Sequence, residues 1–228
     1  MPYIAVYPKE GGSTDSCHSA EMFIDRIALK DDPFRDPEAE EGRQKISFQR
    51  TSERCVSSRR KQAYHAFTTF DTLTRHFLFS VLLLDDKARL IRWDRSGAVV
   101  TELFKWNEAN SPLAEFLARF DSLSPEQKGL DPTVSCPSAD NLAFARTSFE
   151  RAGVRIPSDE NPIQICVQDE ISGAKVSYVC YLTRPTSGDV AGRASAGFLS
   201  VRLTDGVIVW IKDSWRSDHP SMPKESDI

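Results

Sequence analysis

No C-x-x-C pair occurs among the five cysteines, at positions 17, 55, 136, 166 and 180. Their odd number and irregular spacing speak against a secreted disulfide framework and lead us to expect reduced thiols in an intracellular, cytoplasmic protein. Cys166 and Cys180 fall in expected strands, where core packing is their simplest role. Histidine is scarce as well: His18, His65, His76 and His219 are scattered and show no metal-ligand spacing. There is no G-x-S-x-G elbow to present a nucleophilic serine. Long apolar runs are missing, and residues 81–84 with their flanks fall far short of a bilayer span. The N-terminus, broken by Pro2 and Pro8, makes no secretory leader, and neither end carries a lipidation motif. Nor is there an excess of basic charge. The net charge of −4 argues against nucleic acid as the main partner, because phosphate binding needs a basic surface.

What is present suffices for a folded core. The 228 residues are 40% hydrophobic and 27% charged, enough for one large or two small domains. Residues 1–45 read as a poorly ordered arm, with 22–27 making a helical turn or two and the acidic stretch 31–42 a loop. Residues 53–70 predict a helix whose buried stripe is Val56, Ala63, Phe67 and Phe70. Arg59, Arg60 and Lys61 lie off that stripe; a solvated helix face is the simpler reading than a localisation signal or anion site. Residues 77–84 predict a strand buried on both faces, followed by strands at 88–94 and 98–104 in an antiparallel meander. Ser111-Pro112 starts a helix burying Leu113, Phe116, Leu117 and Phe120. Ser124-Pro125-Glu126-Gln127 is a capping box for a short helix ended by Gly129. Asp140 caps a further helix with a stripe at Leu142, Ala145, Phe149 and Ala152. Near Ile156-Pro157 the period changes to strands, at 163–168 and 175–183.

The most informative stretch is 192–212, G-R-A-S-A-G-F-L-S-V-R-L-T-D-G-V-I-V-W-I-K. It opens with a near match to a glycine-rich phosphate loop, Gly192, Ala194 and Gly197. A dinucleotide fold would need a helix next. Instead Leu199, Val201 and Leu203 alternate with Phe198, Ser200 and Arg202, a strand period. Thr204-Asp205-Gly206 reads as a hairpin turn, and the returning strand ends on Lys212. Loop, strand, turn, strand, lysine is the order of a protein-kinase small lobe, where the loop covers the phosphates and the lysine pairs with them.

Ile211-Lys212-Asp213-Ser214-Trp215-Arg216 resembles the lysine motif of the fungal-type protein kinases. The run from Arg89 to Thr101, R-L-I-R-W-D-R-S-G-A-V-V-T, resembles the segment that precedes the kinase lobe there. Asp32-Pro33-Phe34, Gln62-Ala63-Tyr64 and Ser124 to Gly129 fit the same pattern. The resemblance implies ATP with Mg2+, Gly192 and Gly197 in the lid, Lys212 on the α/β-phosphates and Glu225 holding Lys212. Three residue choices depart from it. Ala194 replaces the middle glycine, Pro220 and Pro223 interrupt the approach to Glu225, and Trp210 shares a strand face with Lys212 where the family has a small alanine over the adenine. No H-R-D, D-F-G or A-P-E motif occurs in the chain.

We therefore expect an α+β protein: an arm at 1–45, a helix-plus-meander region at 46–155, and an incomplete kinase-like small lobe at 156–228. The function expected is that of a truncated fungal-type kinase without activity of its own, or alternatively a pseudokinase-like regulatory module meeting a protein partner through 46–155. Neither nucleic acid nor membrane is an expected partner. Arg92, Asp94 and Arg95 are expected to pair with one another at a turn rather than bind a ligand. A metal-dependent nuclease using Asp94, Glu102 and Lys105 is the weaker enzymatic alternative.

Overall fold

A computed structural model describes residues 4–7, 20–36, 47–70, 75–156, 161–168, 172–184 and 195–214. They form an α+β protein of three α-helices and two sheets, in compact units Met1–Val134 and Ser135–Ile228.

In the first unit, β1 (Ile4–Val6), β2 (Met22–Ile27), β3 (Phe77–Leu84), β4 (Lys87–Asp94) and β5 (Gly97–Val100) lie side by side in that order, and β6 (Phe104–Lys105) also pairs with β4. The expected meander is β3-β4-β5, antiparallel throughout. Met22–Ile27 is a strand, not the helical turns expected, and it runs parallel to β3. A parallel step needs a crossover, which α1 (Glu53–Phe70) supplies.

α1 has the expected bounds but not the expected stripe. It buries Cys55, Gln62, His65, Ala66 and Phe70, while Val56, Ala63 and Phe67 are half-buried. The cause is Asp25 on β2, which is fully buried. A buried carboxylate persists only when paired and hydrogen-bonded. Gln62 Nε2 donates to it at 2.6 Å, Lys61 Nζ at 3.0 Å, and His65 Nδ1 lies 2.9 Å away. The basic run is thus partly structural: Lys61 serves Asp25, Arg59 donates to the Arg50 carbonyl at 3.2 Å, and Arg60 is exposed.

Burial holds the His65 imidazole below its ordinary pKa of 6.5, against the pull of Asp25. The unfolded chain therefore takes up a proton first as pH falls. The stability tied to His65 is complete above 6.5 and declines as pH drops below it towards the lowered folded value. Urea melts at about pH 7.5 and about pH 5.5 are expected to show lower stability at the acid pH. The decrement should be smaller in His65→Gln.

Ser111 caps α2 (Pro112–Ser122) by accepting the Ala114 N–H at 3.2 Å. Phe120, Phe116 and Leu113 pack with Met22, Val81 and Phe79, whereas Leu117 is exposed, so the stripe is narrower than expected. The Ser124/Gln127 capping box forms reciprocally at 3.0 and 3.3 Å, but it closes a turn rather than a helix.

The second unit is built on a sheet ordered β11-β10-β9-β8-β7: β7 (Val134–Ser135), β8 (Ile163–Gln168), β9 (Lys175–Arg184), β10 (Ala196–Arg202) and β11 (Ile208–Asp213). β8 to β11 are paired antiparallel. Ser138, not Asp140, caps α3 (Ala139–Ala152). Ala145 and Phe149 of α3 pack on Val179, Tyr181 and Val201, while Ala152 is exposed. A fully buried aromatic contributes about 1.5–3 kcal/mol, so the packing of Phe149 on Val179, Tyr181 and Val201 holds α3 to this sheet. The helix belongs with the second unit, although its sequence position had grouped it with 46–155.

Candidate functional site

The β10–β11 hairpin sets Gly197 opposite Lys212, Leu199 opposite Trp210 and Val201 opposite Ile208. Directly opposed residues share a sheet face, so all six lie on one face. α3 covers one end of it: Val201, Leu199 and Ile208 join the cluster around Ala145 and Phe149. At the other end the Trp210 side chain leans diagonally across β10. A Cβ built on Gly197 would lie 2.4 Å from the indole Cζ2. The indole thus lies on the surface that Gly197 leaves bare, and any side chain at 197 would displace it. Trp210 remains 53% exposed, and Lys212 stands exposed two residues further along the same face. The register shifts between Gly197 and Phe198, and Thr183 Oγ1 donates to the Gly197 carbonyl at 2.9 Å. A bulge of this kind re-aims the chain where a strand leaves a loop. Of the candidate residues, Gly197 and Lys212 are brought together; Gly192, Ala194 and Glu225 lie outside the described residues, as do Pro220 and Pro223.

The nuclease alternative does not survive. Asp94 pairs with Gly97 at one end of β4, and Lys105 pairs with Lys87 at the other. Seven residues of strand separate them by roughly 23 Å at about 3.3 Å per residue. Asp94 is also taken by Arg92 at 2.8 Å and by the Ser96 N–H at 2.8 Å. Among the described residues, Cys55, Cys136, Cys166 and Cys180 are free thiols, and burial pushes Cys180 up to about 11, which keeps it a neutral thiol.

A model of the fungal protein kinase family matches residues 44–228. The chain belongs to the fungal protein kinase family. No curated protein and no solved structure matches it. Gly197, Trp210 and Lys212 all fall within the segment that matches the kinase family, as do α1 and the Arg89 run.

In this kinase-family chain the signature residues of the first unit serve the fold. Arg89 is buried and chelates the buried Asp32 through Nε (3.1 Å) and Nη2 (2.9 Å), while its Nη1 reaches Asp36 (2.6 Å) and the Thr101 carbonyl (2.8 Å). Asp32-Pro33-Phe34 and the Arg89 run, far apart in sequence, meet here. Trp93 donates from Nε1 to Ser80 at 2.8 Å. Arg92 and Asp94 pair as expected, but Arg95 turns inward, donating to the Phe70 carbonyl at 3.0 Å and lying over the Phe70 ring. Gln62 serves Asp25. Arg89 stands in the family-like run, but neither the burial of its guanidinium nor that of Asp25 is among the expectations above, although Arg89 has the strand parity of Ile91 and Trp93. Alternation along β4 was the available signal. Asp25 likewise shares parity with Phe23 and Ile27, a signal masked by reading 22–27 as helical.

Proposed function

We propose that the second unit is the nucleotide-facing sheet of a kinase small lobe whose face is closed, so that this chain handles neither ATP nor phosphoryl transfer by itself. The observation that carries the reading is the indole of Trp210 on Gly197, beside Lys212. In the family reaction the γ-phosphate of ATP passes to a protein hydroxyl, with a strand lysine on the phosphates under a glycine loop. The cross-strand position of Lys212 and Gly197 suits that ancestry. A glycine in such a loop lets the backbone approach phosphate with no Cβ in the way, and here an aromatic ring lies in that space. α3 packed at the Val201–Ile208 end narrows the face further. The proton-accepting aspartate and the magnesium-holding aspartate and asparagine of kinases come from motifs that these 228 residues do not contain. We read these residues by themselves as a regulatory or protein-binding module.

Incubation of the purified chain with labelled ATP, Mg2+ and a general protein acceptor is expected to give no labelled product. Transfer that disappears in Lys212→Met would refute the reading. Thermal melts with millimolar Mg-ATP are expected to show no shift for the wild type. A shift lost in Lys212→Ala would mean that the face is open.

A further inference from the structure

Three side chains of α1 converge on Asp25 of β2, and two of them can carry charge. Asp25 is fully buried. Lys61 Nζ lies 3.0 Å from its Oδ1, and His65 Nδ1 lies 2.9 Å from its Oδ2, which also accepts the Gln62 amide at 2.6 Å. An ionised carboxylate only accepts, so the neutral imidazole carries its hydrogen on Nδ1 and donates it to Asp25. An incoming proton goes to Nε2. The two basic groups differ in their access to water. The Lys61 side chain is 43% exposed, that of His65 5%. Lys61 has a flexible stem that lets its ammonium turn to solvent. His65 has no such freedom, because the Phe23 ring stands edge-on to it with centroids 5.5 Å apart.

We propose that Lys61 and His65 hold Asp25 by turns: the ammonium sits on the carboxylate while the imidazole is neutral, and turns out to solvent when the imidazole takes up a proton. A buried carboxylate is stabilised by a cation beside it. A second cation in the same apolar surroundings repels the first and has its own hydration to lose. The one that regains water at the least cost leaves, and that is Lys61. Burial disfavours the imidazolium most, Asp25 favours it, and the charge of Lys61 opposes it, followed by that of the amino terminus. Departure of Lys61 weakens this opposition, so protonation and release favour each other. The other elements packed on α1 add little to the balance. β3 has no ionisable side chain, and Arg26 has the opposite strand parity to Asp25. Lys30 and Asp31 lie by Cys55, ten residues of helix or about 15 Å from His65. As pH falls, the solvent face of α1 thus gains an ammonium near the exposed Tyr64, one turn along. A proton taken up beneath the helix is displayed as charge on its surface.

The full chain, with isotope-labelled lysine and histidine, is titrated by NMR from about pH 8 to about pH 5. His65→Gln assigns the imidazole signal and Lys61→Arg the ammonium signal. The Lys61 Nζ resonance is expected to move with the same midpoint as the His65 ring, while the exposed Lys175 shows no step there. Lys61→Met should raise the His65 midpoint by about one pH unit, the order expected for removing a charge held on the same carboxylate. Lys61→Arg keeps a cation on Asp25 and should leave the midpoint near that of the wild type. Far-UV circular dichroism verifies that each variant is folded, and should Lys61→Met not fold, the wild-type titration still decides. A Lys61 signal that stays still while His65 titrates overturns the proposal. So does a His65 midpoint in folded Lys61→Met at or below the wild-type one, or a wild-type His65 that takes up no proton before the chain unfolds. None of these results depends on nucleotide binding.

Discussion

Arg89→Met is expected to destabilise the first unit by about 3–5 kcal/mol, read as a lower urea midpoint. The side chain is nearly isosteric along its stem, so the loss is electrostatic rather than a matter of volume. Asp32 would remain buried, having lost its guanidinium and, among the described residues, kept the Phe34 N–H at 3.1 Å. Asp36 would keep the Leu103 N–H at 3.1 Å but lose its cation. Removing one partner from a buried pair costs far more than the pair itself contributes, because the remaining charge has left water without compensation. Adding Asp32→Asn should recover part of the loss, since a neutral amide is cheaper to bury. The exposed Glu115–Arg119 pair on α2 is the contrast, and breaking it should change stability by no more than about 0.5 kcal/mol.

Gly129→Ala is expected to cost on the order of 3–5 kcal/mol. Gly129 has φ of +98°, a conformation that L side chains rarely adopt, and an added Cβ would stand 2.0 Å from the Phe77 carbonyl oxygen. That obstacle is backbone at the start of β3, so no rotamer change relieves it. The turn cannot simply move off, because His76 N–H donates to the Gly129 carbonyl at 2.8 Å and the buried Arg75 donates to the Lys128 carbonyl at 3.1 Å. Far-UV circular dichroism and urea titration would measure the loss. A cost below about 1 kcal/mol would mean that the turn is not docked in this way.

Elements with strong local patterns were legible in the sequence. The bounds of α1, the run β3-β4-β5, the Ser111 cap and the β10–β11 hairpin all follow from periodicity and turn chemistry. Where partners were distant, the pattern misled. β2 pairs with β3 across the whole of α1, so nothing beside Met22 announces a strand. The face of α1 turned towards Gln62 and His65 because Asp25 waits on β2, and no rule of apolar spacing contains that carboxylate. At the candidate site, hairpin register alone places Lys212 across from Gly197. The same-face position of Trp210 was legible too. Its diagonal lean was not, since it depends on the missing Cβ of a residue on the neighbouring strand.

Calorimetric titration of Mg-ATP into Trp210→Ala and into the wild type decides whether the Trp210 ring closes the proposed nucleotide face. Saturable binding by Trp210→Ala, abolished on adding Lys212→Ala, and none by the wild type is the expected result. Equal binding by both proteins, or none by Trp210→Ala with its fold intact, would contradict it.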